Sequence, residues 1–365
     1  MLQLVFGRSG YGKTEYIRNR IADMIDRGET QVLLITPEQY SFISEYSLLE
    51  QLGEARAHAV RCLSFSRLCD ECDRLYGADG RKLLTKGGKA ILMKTAIDQM
   101  RPDLELFEKK GSSAAFVQSM TGIYDEMKSC NLSGAAVYAA ADDLDTDILR
   151  CKMRDFSRIM TAYEALLGDR FADPANRLTR LYDQIKDQNY FAGQTVFLDG
   201  FNGFVAQEYK ILERIIAEAK AVYIALDSDS FGTGDGYDLF AYVNETAGIL
   251  QRIADKAGVP TNALQLGENY RTDYADLRRV EQYIFADQAP ETEISSEHIR
   301  LYAASTVTDA CNDLALQIKG LLRCGYRAGE IAVTMRDREK YAPVLASAFE
   351  KYGVPYYTDE RQPVT

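Results

Sequence analysis

Short apolar runs alternate with helix-like segments in the N-terminal part of the chain. Each run has the length and the aliphatic character of a buried strand, and each is followed by residues with helical spacing. Strands that alternate with helices pair in parallel through right-handed crossovers, so the pattern predicts an α/β fold on a parallel sheet. The strands are expected at 2–6, 32–36 and 60–64, with helices after Lys13, near 40–51 and after Phe65.

The strand signal disappears between residues 85 and 188. Apolar residues recur there at helical spacing, with loop signals at Arg101-Pro102 and Asp173-Pro174. Strand-like runs then return at 195–198 and 221–227. We therefore predict that an all-helical subdomain is inserted into the first sheet, which resumes after it.

A second α/β unit is expected after the acidic, proline-bearing stretch 287–297. The order there is strand, helix, strand and helix, followed by a strand-like run near the last residue, Thr365. The unit does not close within these residues, so we expect them to belong to a longer protein. The predicted elements lie at 299–303, 310–322, 331–335, 341–351 and 354–357.

The composition is that of an ordinary globular protein, with 46% hydrophobic and 27% charged residues. No run of 18 apolar residues and no signal-peptide pattern occurs, so we expect no membrane association and a cytoplasmic location. Seven cysteines without an export signal are expected to be reduced thiols. The formal net charge of −11 weakens a nucleic-acid hypothesis, but a binding groove needs only local positive charge.

The segment GRSGYGKT, between the first strand and its helix, fits the G-x-x-x-x-G-K-[ST] phosphate-binding pattern. Backbone N–H groups and the helix N-terminus would hold the β-phosphate, Lys13 would neutralise β and γ oxygens, and the Thr14 hydroxyl would bind Mg²⁺. The alternative is a glycine-rich turn that only reverses the chain. The nucleotide-binding residues predicted here are Gly7, Arg8, Ser9, Gly10, Tyr11, Gly12, Lys13 and Thr14.

Asp199 is the predicted carboxylate on the Mg²⁺ side of this site, because it ends the buried strand 195–198. The alternative is an ordinary aspartate that caps the following loop. Many hydrolytic P-loop motors carry a glutamate directly after this acid, to orient the attacking water. Gly200 stands there in this chain, so strong ATP turnover by this site alone is not expected.

Arg271 is the third candidate, because it follows a short strand-like stretch where an arginine could sense the γ-phosphate. The alternative is a loop arginine at a solvated helix start. We therefore add Arg271 to the predicted nucleotide-binding residues.

Two local features could serve DNA. Five basic residues and no acid lie between 81 and 95, although such a run is more often a solvated face. Aromatic residues lie at or beyond the carboxyl ends of the predicted strands, where rings could stack on bases or simply pack in the core. The basic residues are Arg81, Lys82, Lys86, Lys89 and Lys94, and the aromatic ones are Tyr40, Phe42, Phe65, Phe201 and Phe204.

The pair Cys69-x-x-Cys72 is more simply two small apolar residues on one helix face than a metal site. No second pair with zinc spacing exists, and the chain has only two histidines, His58 and His298. Catalysis that depends on histidine acid–base chemistry is likewise not indicated.

The order of these motifs resembles superfamily 1 helicases, and most closely the AddB (RexB) subunit family of bacterial AddAB helicase–nucleases. The resemblance covers essentially the whole chain. Beyond the P-loop, it rests on LLITPEQYSFISEY (33–46), LSFSRL (63–68), FLDGFNGFVAQE (197–208), IAVTMRD (331–337) and YGVPYYTDE (352–360).

The resemblance implies a RecA-like P-loop domain 1A at 1–80 plus 190–285, a helical subdomain 1B at 81–189 and the beginning of a second helicase-like domain at 286–365. It also implies a heterodimer with an AddA-type helicase–nuclease subunit, which is the main ATP-driven motor, and action on single-stranded DNA and duplex ends. A nuclease domain with a 4Fe–4S cluster would lie only in a C-terminal part that these residues do not contain.

In that family the subunit reads the recombination hotspot Chi with degenerate helicase motifs. The glycine after Asp199 agrees with such a motor, and so does the segment 225–229, ALDSD, where a helicase has Gly-Asp-x-x-Gln. Asp70 stands where the family leads us to expect an aromatic residue. The resemblance implies that the DNA path includes Gln39, Ser41, Phe65, Arg67 and Phe204.

Two other function classes remain open at this stage. One is an autonomous enzyme, either a self-sufficient P-loop motor ATPase or a small-molecule kinase. The other is a scaffold whose P-loop no longer binds nucleotide.

Overall fold

A computed structural model describes residues 1–78, 80–108, 113–229, 239–286, 291 and 296–358. The chain forms two compact units, Met1–Asp273 and Tyr274–Thr365. The division lies before the predicted boundary at 286, and the reason is local. The Asp276 carboxylate, in the helix that follows Tyr274, accepts a hydrogen bond of 2.9 Å from the backbone N–H of His298, which ties this helix to the second unit.

The strands of the first unit are β1 (Leu2–Gly7), β2 (Val32–Ile35), β3 (Val60–Leu63), β4 (Lys82–Leu83), β5 (Phe171–Ala172), β6 (Thr195–Leu198), β7 (Ala221–Asp227) and β8 (Thr261–Gln265). Its helices are α1 (Lys13–Asp26), α2 (Ser41–Leu52), α3 (Glu54–Ala57), α4 (Phe65–Tyr76), α5 (Lys86–Met100), α6 (Ala114–Ser129), α7 (Gly134–Ala141), α8 (Asp147–Leu167), α9 (Arg177–Ile185), α10 (Ala206–Glu218) and α11 (Ala241–Lys256).

Six strands form one parallel sheet in the order β3-β2-β6-β7-β1-β8. The strand before the P-loop, β1, is separated from β6 by β7, which gives the RecA-like α/β arrangement that the sequence predicts. The edge strand β8 corresponds to the short strand-like stretch recognised before Arg271. Parallel pairing places the carboxyl ends of β1, β7 and β6 side by side at one edge of the sheet.

The sheet is buried on both faces, because successive residues of each strand enter opposite layers. Leu4 and Phe6 of β1 pack with α4, α9, α10 and α11. Phe197 of β6 and Tyr223 of β7 stack on the other face, with ring centroids 4.8 Å apart, in the layer that α1 and α2 cover. Continuous apolar runs, rather than alternating ones, therefore marked these strands in the sequence.

In its described residues, the insertion that follows α4 is helical apart from the two-residue strands β4 and β5, which pair with each other in parallel. Helices α5, α6, α7 and α8 surround a hydrophobic core of their own. Its centre is the pair Tyr124 and Tyr163, both fully buried, whose rings meet edge to face at 4.8 Å. The helical spacing of the sequence is confirmed here.

A buried ion pair crosses this core. The Lys89 ammonium donates to the Asp173 carboxylate at 2.8 Å and also contacts Asp125. Asp173 is completely buried and accepts a further hydrogen bond from the Tyr163 hydroxyl at 2.5 Å. Lys89 therefore belongs to the interior of the insertion, and the interpretation of residues 81–95 as a uniformly solvated basic face is wrong at this position.

The second unit contains α12 (Ala275–Tyr283), α13 (Val307–Arg323) and α14 (Arg338–Tyr352). The last two match the predicted helices, but the segments predicted as strands at 299–303, 331–335 and 354–357 form no hydrogen-bonded strand within the described part of the chain. Ile331 and Val333 do pack against the α13–α14 core while the residue between them is exposed. The alternation of apolar and polar residues thus predicts the direction of the side chains correctly, whereas a β-strand also requires hydrogen bonds to a neighbouring strand.

No helix among the described residues combines the length and the apolar character needed to cross a membrane.

Replacing Lys89 with alanine is expected to destabilise the protein by about 3 kcal/mol, because it leaves the buried Asp173 carboxylate without its counter-ion. Urea denaturation measures the change. Lys94→Ala is the matched control on the same helix, since Lys94 is 58% exposed and forms a surface pair with Asp98. Its expected effect is below about 0.5 kcal/mol. Equal effects of the two substitutions would contradict the structural role of Lys89.

Candidate nucleotide site and adjoining cleft

The loop between β1 and α1 depends on two glycines in the left-handed region. Gly10 has φ 90° and Gly12 has φ 81°, values that a side chain disfavours. Gly12 is also the N-cap of α1 and has no side chain with which to cap it. The N–H groups of the first helical turn therefore face the loop, which is the usual basis of anion binding at a helix N-terminus.

The segment that carries Arg271 lies directly against this loop. The backbone N–H of Tyr270 donates to the Gly10 carbonyl at 2.9 Å, and the Asn269 side chain accepts from the Arg271 N–H at 2.8 Å. A Cβ on Gly10 would lie 2.8 Å from the Arg271 Cβ, closer than van der Waals contact permits. Gly10 is therefore required for this close approach as well as for its backbone angle.

Thr14 and Asp199, which the sequence predicts as the Mg²⁺ side of the site, lie together. Both line the same cavity, although Thr14 is in the first turn of α1 and Asp199 follows β6. Burial raises the pKa of Asp199 above its ordinary value. Hydrogen bonds from Thr14 and from the Gly200 backbone, together with the nearby positive charges of Lys13 and Arg18, partly oppose that rise in pKa.

Lys13 is held by three acceptors of the protein. Its ammonium donates to the carbonyls of Gly7 and Arg8, at 2.7 and 2.9 Å, and lies 2.5 Å from the Asp227 carboxylate. Asp227 is the last residue of β7 and pairs with Gly7 in the sheet register.

These groups surround a cavity of about 430 Å³. Six of the nine predicted nucleotide-binding residues line it, and so does Asp199. The lining is Ser9, Gly10, Gly12, Lys13, Thr14, Glu15, Arg18, Asp199, Gly200, Phe201, Ala225, Asp227, Tyr270 and Arg271.

The other three predicted residues of the loop are absent from that lining. The Arg8 side chain pairs with Asp229 at 2.8 Å and lies over the Phe240 ring. Tyr11 is buried, and its backbone N–H donates to the Arg8 carbonyl at 3.1 Å. The Gly7 carbonyl accepts a hydrogen bond from Lys13, so Gly7 stabilises the loop without lining the cavity.

Seven of the lining residues are not among the residues predicted for this site, and four of these have polar or charged side chains. Arg18 could have been found, because it lies one helical turn after Thr14 on α1. Asp227 also lies at the carboxyl end of a buried strand, as Asp199 does, and this position is the signal that could have identified it. Glu15 and Tyr270 carry no signal beyond their neighbours in the sequence.

A second cavity, of about 660 Å³, lies between the sheet and the helical insertion. Its walls carry both charges: Lys86, Lys89 and Arg177 are basic, whereas three lining acids oppose them. Phe65 and Phe201 contribute aromatic surface. The acids are Glu38, Asp125 and Glu208.

Only one of the five residues predicted on the DNA path lines this cleft, and that residue is Phe65. Its ring is 6% exposed and meets Phe201 edge to face at 5.8 Å. Phe204 is equally buried behind Phe201, with ring centroids 5.0 Å apart. Neither Phe65 nor Phe204 offers an open face for stacking in this conformation, so packing explains both rings.

The remaining candidates on the DNA path lie on the surface beside the cleft or near it. Gln39 is exposed, whereas the Ser41 hydroxyl is largely buried and donates to the Glu38 carbonyl at 3.1 Å. Arg67 is exposed and pairs with Glu45 at 3.1 Å. The part that these side chains play in binding DNA stays a prediction.

Asp70, which stands in place of an expected aromatic residue, has a partner in the structure. Its carboxylate forms an ion pair with Arg177, which lines the cleft from the insertion side. One of the three basic side chains of the cleft is therefore partly neutralised by the residue that departs from the family pattern.

Cys69 and Cys72 are buried in the hydrophobic core beside the sheet. Burial raises the pKa of both thiols to about 12, so they remain protonated at neutral pH. No cluster of three potential metal-binding side chains of the His, Cys, Asp and Glu types occurs in the described residues.

Residues 4–281 match the protein family described as ADDB, N-terminal. The chain belongs to this family. Among similar proteins, the ATP-dependent helicase/deoxyribonuclease subunit of the B type from Clostridium novyi (strain NT) is 26% identical over 99% of this chain. The proteins of the same name from Clostridium botulinum (strain Langeland / NCTC 10281 / Type F) and Clostridioides difficile (strain 630) are 27% and 28% identical over 100% and 99% of it. In each case the chain spans 32% of the relative's length.

Asp199→Asn is expected to stabilise the folded protein at neutral pH. Because burial raises the folded-state pKa of Asp199 above the ordinary 3.8, ionisation of this carboxyl disfavours the folded state once the pH exceeds that value. The advantage of the variant should grow as the pH rises from about 4 through the raised pKa, and then stay constant. Urea denaturation across this pH range measures it.

Asp26→Asn is the control for the loss of one charge, because Asp26 is exposed and forms a surface pair with Arg56. An advantage of Asp199→Asn that shrinks as the pH rises would contradict the assigned direction of the pKa shift.

Proposed function

We propose that this chain binds a nucleoside triphosphate with Mg²⁺ and forms the N-terminal, helicase-like part of a helicase–deoxyribonuclease subunit. The contact between Thr14 and Asp199, beside Lys13 and Arg271 in one cavity, carries the nucleotide proposal. The family match and the names of the relatives support the assignment to a DNA-processing complex. In this proposal the subunit pairs with an AddA-type subunit and processes double-strand breaks for recombination.

The donors at the Thr14 side of the cavity fit Mg²⁺. A hydroxyl and a carboxylate are hard oxygen ligands, and Mg²⁺ in nucleotide sites uses one or two protein carboxylates plus phosphate oxygens and water. Bound there, Mg²⁺ would neutralise charge on the β and γ oxygens. Asp199 and Thr14, which line the same cavity, would hold it.

The rest of the cavity suits the phosphates. The N–H groups of the loop and of the first turn of α1 would bind phosphate oxygens. Lys13, which donates to the Gly7 carbonyl, would add a positive charge. Arg271 is positioned by contacts of its own segment with Gly10, so its guanidinium could reach the terminal phosphate with little reorganisation.

The site favours binding over rapid hydrolysis. The residue after Asp199 is Gly200, which cannot orient a water molecule with a side chain. Glu15 and Asp227 are the other acids of the lining, but Asp227 is engaged with Lys13 and Glu15 belongs to the first turn of α1. We therefore propose at most weak ATP turnover by this part of the protein, with the partner subunit as the motor.

The cleft between sheet and insertion is the proposed contact for single-stranded DNA. Lys86 and Arg177 line a space to which aromatic side chains also contribute. Basic side chains that follow the phosphate backbone are one part of the usual design for binding a single strand, and Lys86 and Arg177 would supply them here. Recognition of Chi within that strand is the finer part of the proposal, and Gln39 and Arg67 are its exposed candidates. A nuclease domain and its 4Fe–4S cluster belong to the remainder of the proposed full-length subunit.

Lys13→Ala is expected to weaken the binding of ATP with Mg²⁺ by at least about tenfold, because it removes a charge-assisted hydrogen bond to phosphate. Titration of the full-length protein with a fluorescent ATP analogue, with and without Mg²⁺, measures the affinity. Lys210→Ala is the matched control, since Lys210 pairs with Glu213 on α10, outside the cavity. Equal and negligible binding by wild type and Lys13→Ala would rule out the nucleotide site and leave a scaffold.

Removal of both Lys86 and Arg177 is expected to weaken the binding of single-stranded DNA. The slope of log affinity against log salt should fall by about 0.7 for each phosphate contact that is lost. Fluorescence anisotropy with a labelled oligonucleotide at several salt concentrations gives both quantities. Lys186→Ala, an exposed lysine paired with Asp183 just beyond α9, is the control for loss of positive charge.

Asp70→Asn should change the affinity in the opposite direction, because it removes the carboxylate that pairs with Arg177. A salt slope that is the same in the double variant and in wild type would contradict the proposed DNA contact.

A further inference from the structure

The Lys13 ammonium is engaged within the protein by two hydrogen bonds and one ion pair. A lysine ammonium has three N–H donors and no acceptor. Its three partners are the Gly7 carbonyl, the Arg8 carbonyl and the Asp227 carboxylate, at 2.7, 2.9 and 2.5 Å. A phosphate oxygen that approaches Lys13 therefore meets an ammonium that these partners already contact, one of them a carboxylate.

Asp227 is the negatively charged partner of Lys13, so its carboxylate competes with a phosphate for the Lys13 ammonium. The two carbonyls are parts of the loop itself, whereas the Asp227 carboxylate belongs to the adjacent strand β7 and lines the cavity. Its side chain is 43% exposed, so the carboxylate faces the space as well as the ammonium. An anion that enters the cavity meets this fixed negative charge.

The position of β7 determines which phosphate is affected most. In P-loop sites the terminal phosphate lies between the lysine and the Mg²⁺. Here Lys13 follows β1, Asp199 follows β6, and β7 runs between these two strands. Asp227, at the carboxyl end of β7, therefore stands beside the place where the terminal phosphate of a triphosphate would lie.

The lining of the cavity as a whole has no excess of positive charge. Its lining contains three acidic and three basic side chains, so their formal charges balance. Such a balanced lining does not by itself attract the additional negative charge of a third phosphate. The acids are Glu15, Asp199 and Asp227, and the basic residues are Lys13, Arg18 and Arg271.

We propose that Asp227 is a specificity-determining residue that makes this site favour a nucleoside diphosphate over the corresponding triphosphate. The inference rests on the proposed function, because it assumes that Lys13 binds phosphate. Asp227 holds Lys13 against the loop and repels the additional negative charge of a third phosphate. The site then keeps its nucleotide mainly in the diphosphate form, which fits the limited turnover proposed above.

The test is Asp227→Asn in the full-length protein, with ATP and ADP titrated separately in the presence of Mg²⁺ by isothermal calorimetry. Asparagine has nearly the same shape and can still accept from Lys13, but it lacks the charge. The affinity for ATP should rise at least tenfold and that for ADP about threefold or less, so that the ratio moves toward ATP. Asp26→Asn, which removes an exposed acid paired with Arg56, should leave the ratio unchanged.

Asp227→Glu keeps the negative charge in a longer side chain and should retain the preference for ADP. It therefore separates charge from shape if the asparagine variant folds poorly, which thermal unfolding would reveal. An unchanged ratio in Asp227→Asn, or a parallel loss of both affinities, overturns the inference while ATP binding that depends on Lys13 still supports the nucleotide site. The absence of nucleotide binding in both wild type and Asp227→Asn overturns the inference and the proposed function together.

Discussion

Parallel pairing of β1, β7 and β6 is the constraint on which the candidate nucleotide site depends. In a parallel sheet the carboxyl ends of all strands lie at one edge, so residues that are distant in the sequence meet there. Thr14 and Asp199 are separated by most of the first unit, including the whole helical insertion, and yet both line the same cavity. The insertion leaves this geometry intact because it leaves the sheet after β3 and returns at β6, which pairs with β2.

The insertion has its own means of keeping a fixed shape. Lys89 and Asp173 come from opposite ends of it, and their buried ion pair, with Tyr163 on the same carboxylate, joins these ends across the core. A buried ion pair contributes little net stability compared with apolar packing, but breaking it is costly, so it selects one arrangement of the helices. The two segments of this subdomain that carry Lys86 and Arg177 are thereby held together beside the cleft.

The elements that depend on a local sequence pattern could be predicted from the sequence. The loop at residues 7–14 and the strand before Asp199 combine a short pattern with an apolar run, and the structure has both at the predicted positions. Lys89 was misjudged because its acidic partners, Asp125 and Asp173, are distant in the chain. Phe65 and Phe204 were placed on a DNA path by resemblance, whereas their packing around Phe201 depends on the tertiary fold. The prediction of strands after residue 298 was wrong for a related reason. Periodicity gives the direction of the side chains, but it does not show whether a neighbouring strand is present for hydrogen bonding.

Asp227 shows why a decayed motif still needs a physical interpretation. Compared with a helicase pattern, its segment is only a mismatch. In the structure the same residue holds the P-loop lysine and contributes negative charge beside the phosphate site. Together with the glycine after Asp199, this arrangement would, on the proposed function, reduce both the attraction for a terminal phosphate and the means to hydrolyse it. Weak turnover and a retained nucleotide site are compatible in this proposal, because the backbone geometry that would bind phosphate depends on Gly10 and Gly12, while a preference among nucleotides would depend on side chains that can change independently.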